Sequence, residues 1–166
     1  EHLKDLCEKT MDISEFLVKR AGVEATEATG EDLIPVTYHD PCHLRKSLGI
    51  YKEPRIIINA SKRYRLKEMS QPERCCGMGG SFNLQYYSIS RKIGESKRED
   101  IANSGAKIVA TGCPACMSQI SDMLSSAGMK IPVKHPIQLY AESLGKWQVG
   151  RTGASDTPSF PLKGRP

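Results

Sequence analysis

The sequence predicts an α/β layered domain, with a mostly parallel sheet of about four strands flanked by helices and cysteines at the strand carboxyl ends. Three observations carry this expectation. Short apolar runs such as LIPVTYH (33–39) and KIVAT (107–111) alternate with longer segments of helical periodicity. Proline and glycine punctuate the junctions, at Pro41, Gly105, Gly128 and Pro136. Cysteines fall just beyond three of the predicted strands.

The elements follow in order. Apolar residues at Leu3, Leu6, Cys7, Ile13, Phe16 and Leu17 predict one helix over 3–21, stopped by Gly22, with Cys7 buried in it. Residues 24–32 are polar and predict a loop. Leu33 to His39 reads as a buried strand broken by Asp40-Pro41. A short helix is expected over 54–61 and a second strand over 65–69. Gln71-Pro72, Gly77, Gly79 and Gly80 mark a loop. The longest helix is predicted over 84–103, with Leu84, Tyr87, Ile89, Ile93 and Ile101 as its apolar stripe and Gly105 as its stop. A third strand (107–111), a helix opened by Pro114 (114–127), a fourth strand (131–135) and a last helix (136–144) complete the domain. The domain is expected to span residues 1–147. The segment 148–166, rich in Gly, Pro, Ser and Thr, is expected to be a flexible tail.

Composition excludes several classes. No apolar run approaches the roughly 20 residues of a membrane helix. The start, EHLKDLCEKT, is charged and unlike a signal peptide, and a chain beginning at Glu1 reads as a piece of a longer protein. A cytoplasmic setting is expected, with membrane association only through partner subunits. The net charge of +5 is mild, and Arg45, Lys46, Lys52, Arg55, Lys62, Arg63, Arg65 and Lys67 are interspersed with apolar residues. They read as a solvated face or as a docking surface for an acidic electron-transfer partner. No nucleic-acid fingerprint is present.

Five of the six cysteines form one pattern: Cys42, then Cys75-Cys76-Gly77, then Cys113-Pro114-Ala115-Cys116. A disulfide framework would be unusual in a chain of this kind, so metal or redox use is expected. Tetrahedral zinc takes four ligands, and so does a cubic four-iron cluster. Five thiols therefore point to an iron–sulfur site of unusual geometry, or to a four-ligand site with one spare thiol. In open parallel sheets, sites gather at the carboxyl ends of the strands, so the five sulfurs are expected at one sheet edge. Cys113 and Cys116 lie at a helix start, where the dipole favours thiolates. Gly77, Gly79 and Gly80 allow unusual backbone angles, and their N–H groups are candidate donors to cluster sulfur.

His43 directly follows Cys42 and is the candidate proton donor. Asp40 reads as a turn or cap residue rather than a relay, and His135 as a satisfied structural histidine. Arg45 is a weaker candidate anchor for an anion. Tyr86 and Tyr87 read as helix packing and surface.

These residues resemble a known family. The cysteine pattern is similar to the cysteine-rich CCG domain of heterodisulfide reductase and of the iron–sulfur subunits of glycolate oxidase and lactate utilisation. YHDPCHLRKSLGIYKEPR (Tyr38 to Arg55) and CCGMGGSFNL (Cys75 to Leu84) carry the likeness, which covers about Leu33 to Leu144. In that family the domain usually occurs twice, behind a ferredoxin-like domain, and this chain looks like the C-terminal copy. The resemblance implies that Cys42, Cys75, Cys76, Cys113 and Cys116 bind a [4Fe–4S] cluster, non-cubane in heterodisulfide reductase. It also implies partner redox subunits of ferredoxin-like, flavin or membrane electron-transfer type. Some members bind zinc instead. The expected function is an iron–sulfur redox module for electron transfer or thiol/disulfide reduction. The alternatives are a structural zinc domain for assembly and a metal-free dithiol enzyme cycling Cys113 and Cys116.

Overall fold

The computed structural model describes residues 2–26 and 32–145, so the predicted tail lies outside the described residues. Four strands form one wholly parallel sheet: β1 (Ile34–Tyr38), β2 (Tyr64–Leu66), β3 (Ile108–Ala110) and β4 (Val133–Lys134). Their order is β2-β1-β3-β4. Register pairs Ile34 with Tyr64, Val36 with Ile108 and Val109 with Val133. Pro35 is tolerated in a central strand because it precedes the start of β3, opposite Val36, so no ladder bond is lost.

Side chains alternate across the sheet and build a core on each face. Val36, Tyr38, Ile108 and Ala110 pack with Ile58 of α3 (Glu53–Asn59) and Leu139 of α7 (Pro136–Ser143). Val109 packs on the other face with Ile101 of α5 (Tyr87–Ser104) and with Ile120 and Leu124 of α6 (Pro114–Ser126). The second core also contains Cys76, Cys113 and Cys116. Each fully buried aliphatic chain contributes about 1.5–3 kcal/mol, and Ile57, Ile58, Ile101 and Leu139 are completely covered. No helix among the described residues is long and apolar enough to cross a membrane.

Several expectations are corrected. The single N-terminal helix is two, α1 (His2–Lys9) and α2 (Ile13–Lys19). Asp12 divides them: its extended backbone and its carboxylate, which accepts the Ser14 N–H at 2.8 Å, start a new helix. Cys7, expected buried, is exposed on α1. The long helix is likewise preceded by a short α4 (Phe82–Gln85), with Tyr86 leaving helical backbone between them. Its predicted apolar stripe holds at Ile101, which is fully buried, but Leu84, Tyr87 and Ile89 are exposed, whereas Ser90, Gly94 and Lys97 are buried. The cause is a close approach, because a side chain at Gly94 would meet Met123 at 2.8 Å. A π-helical turn, His43–Ser47, has no counterpart in the sequence reading.

Candidate metal centre

The sheet order reverses direction between β1 and β3, and ligands in parallel α/β sheets bind outside the strand ends at such a point. His39 continues β1 there and donates its N–H to Ala110 at 2.9 Å. Two residues beyond Thr37, and out of phase with Tyr38, its ring faces the α5–α6 side. One ring nitrogen of His39 and the sulfurs of Cys76 and Cys116 lie within 4.8 Å of one another, all buried.

The chain after β1 is held by charge. The fully buried Asp40 carboxylate accepts hydrogen bonds from Arg45 and, at 2.7 Å, from Arg55. Arg55 also grips Glu68 and the Tyr51 carbonyl, and sits over the Tyr38 ring at 5.0 Å. Burial works against the Arg55 charge, but Asp40 and Glu68 more than offset it, so its pKa is raised. Arg45 stacks on Tyr51 at 4.9 Å. Asp40 is therefore the hub of a buried ion-pair network rather than a turn cap, and Arg45 is already engaged. This network anchors the turn that carries Cys42 and His43. Both are exposed, and neither belongs to the His39–Cys76–Cys116 group.

The loop after β2 is held by α5. Asp100 accepts the N–H groups of Ser70 and Gln71, each at 3.0 Å, and the Ser70 hydroxyl. Burial opposes its ionisation, yet these donors and Lys97 keep its pKa lowered. Lys97 is almost completely buried and donates to the Gln71 carbonyl. Burial depresses its own pKa. Further along, Gly77 takes φ +94°, and its N–H donates to the Cys75 sulfur at 3.3 Å. Ser90 donates its hydroxyl to the Gly77 carbonyl at 2.9 Å. Of the three glycines singled out, Gly77 alone is packed; Gly79 and Gly80 are exposed.

Cys113 caps α6 with extended backbone, and Pro114 follows at the first helical position. Cys116 lies one turn on, the spacing that places two side chains on one face. Cys113 and Cys116 are buried, whereas Cys75 is exposed. No cysteine is in a disulfide. The thiols influence one another. Hydrogen bonding with Cys116, then burial, pushes Cys76 up to about 11. Hydrogen bonding with Cys76, then burial, raises Cys75. At neutral pH the metal-free site thus holds Cys75 and Cys76 as protonated thiols, whose protons a bound cation would displace.

His39 is the participant that the sequence reading left without a role. It is 1% exposed, and neither ring nitrogen has a hydrogen-bond partner. The nearby Pro72 carbonyl already accepts the Asp40 N–H at 3.0 Å. Burial, then the Lys97 charge, lowers the His39 pKa to about 4, so the ring is neutral. Its position in the β1 alternation was the available signal. By contrast, His135 is structural: its Nδ1 accepts the Ile137 N–H and Gln138 completes a capping box. Thiols and an imidazole at one point suit zinc or iron–sulfur chemistry rather than magnesium or calcium.

The fold and this donor set define a cysteine-rich α/β domain built around a thiol site at the sheet's switch point. Residues 36–121 match the CCG cysteine-rich domain, and the chain belongs to that family. It is 37% identical over 137 residues to an uncharacterized iron-sulfur protein of Methanococcus maripaludis, covering 79% of this chain and 27% of that protein. It is 31% identical over 147 residues to one of the subunits of the dihydromethanophenazine:CoB–CoM heterodisulfide reductase of Methanosarcina barkeri (86% and 36%). Lactate utilization protein A of Bacillus subtilis is 30% identical over 132 residues (80% and 55%). The chain thus spans between 27% and 55% of the length of these relatives.

Proposed function

We propose that this domain binds an iron–sulfur cluster and serves as an electron-transfer module of a larger oxidoreductase. The observation that carries the reading is the convergence of buried Cys76, Cys116 and His39 at the β1–β3 switch point. Cys42, Cys75, Cys76, Cys113 and Cys116 are the proposed ligands, with a [4Fe–4S] group of non-cubane type. When bound, such a group supplies one-electron transfer. Gly77 orients Cys75 through its N–H, and exposed His43 is the proposed proton donor. Redox subunits or domains of the parent protein are the proposed partners, and electron transfer or thiol/disulfide reduction is the proposed activity of that assembly. The test is iron and acid-labile sulfide content with EPR, on protein prepared without oxygen. About four irons and four sulfides per chain are expected for the proposed group; one zinc without sulfide would sink the reading.

Structural zinc is the second reading, favoured by the buried nitrogen beside two sulfurs. His39, Cys76 and Cys116 with one more thiolate would supply the four donors that zinc takes.

A further inference from the structure

We propose that His39 donates a ring N–H to a cysteine sulfur of the centre and sets its reduction potential as a positioning residue, without ligating the metal. The inference rests on the iron–sulfur reading above. A neutral imidazole has one donor and one acceptor nitrogen, and burying both without partners is costly. Both are buried and unpartnered in His39, and one reaches the neighbourhood of the Cys76 and Cys116 sulfurs. The Pro72 carbonyl lies close enough to the ring to favour its protonation but makes no hydrogen bond of good geometry with it, and a thiolate at the centre is the stronger acceptor. Nitrogen ligation is unnecessary, because the chain already supplies five thiols in the pattern. The site uses the same bond elsewhere, from the Gly77 N–H to Cys75. Hydrogen bonds to ligand sulfur stabilise the more negative, reduced state and so raise the potential.

The experiment compares the full wild-type chain with His39→Gln and His39→Leu, all prepared without oxygen. Iron and sulfide are assayed in each, midpoints are measured by EPR redox titration, and the wild type is labelled with 15N-histidine for hyperfine spectroscopy. The wild type should hold iron and sulfide and show one weakly coupled histidine nitrogen. His39→Leu should load equal iron, but its reduced-to-oxidised ratio at fixed potential should fall about fivefold, the worth of one hydrogen bond. His39→Gln, whose amide keeps a donor, should restore most of that ratio. A wild-type midpoint in His39→Leu overturns the proposal. So does a strong coupling of a directly bonded nitrogen, or iron loss in both variants, since either makes His39 a ligand. If His39→Leu does not fold, the wild-type coupling decides, and its absence overturns the inference. Zinc without sulfide in the wild type overturns the iron–sulfur reading first, before either variant is measured, and this inference with it.

Discussion

Gly77 and Ser90 are interlocked: the Ser90 hydroxyl donates to the Gly77 carbonyl at 2.9 Å, and a Cβ on Gly77 would collide with the Ser90 carbonyl. The pair fixes the cysteine loop against α5. Gly77→Ala adds both this clash and a strained φ of +94°, so it should destabilise the fold by about 2–4 kcal/mol. Thermal melting checks the loss. Metal binding should fall with it, while a substitution at exposed Gly79, such as Gly79→Ala, should leave both near wild type.

Asp40→Asn removes the buried charge that Arg45 and Arg55 share. Arg55 keeps Glu68, so the stranded cation is partly compensated. A loss of about 3 kcal/mol in urea unfolding is expected. A loss below about 1 kcal/mol would show that solvent replaces the carboxylate and that the network contributes little.

Glu142 makes stability depend on acid. Burial disfavours its charge, but Lys134 and Tyr64 donate to it and lower its pKa below the ordinary 4.5. A carboxylate with a depressed folded pKa contributes stability above its unfolded pKa, and that contribution is lost as pH falls through the folded value. Tyr64 is raised from 10.0 to about 12, by burial and by Glu142, so its share is present below the lower value and lost as pH rises toward the upper one. Tyr64→Phe should flatten both limbs of a melting-temperature profile. An unchanged profile would place the pH dependence elsewhere.

Metal uptake should itself be steeply pH-dependent. Cys75 and Cys76 are protonated in the metal-free site, and only thiolates bind. Below the Cys76 value of about 11, each of these two thiols should weaken apparent affinity about tenfold per pH unit of acidification. Cobalt(II) titration between about pH 6 and 8 reads the slope. A flat response would mean that neither thiol is a ligand.

β1, β3 and α6 are legible because their signals are local: β-branched runs bounded by breakers, and Pro114 opening a helix; β2 (Tyr64–Leu66) has no β-branched residue, and the expected 65–69 meets it at two positions only. The positions that misled are those where tertiary packing overrides pattern. On α5 the buried line runs Ser90, Gly94, Lys97 and Ile101, and its first three members serve close approach and polar anchoring, so hydrophobicity alone finds only Ile101. Asp12 divides the first helix by a cap whose effect depends on its backbone. Of the site, the five cysteines are legible in their own spacing, and the CCG likeness rests on them. His39 reads only as the end of a strand, because a histidine there has no signature of its own; the sheet gives it meaning by placing β1 beside β3.

The centre draws on segments that leave β1, β2 and β3, which neighbour one another only in the order β2-β1-β3-β4. A chain whose strands paired in another order would scatter His39, Cys76 and Cys116 along the wrong edges. Occupancy of the site would thereby act as a proofreading event. A cation held across these segments favours the correctly threaded molecule by mass action and withdraws it from competing misfolded forms.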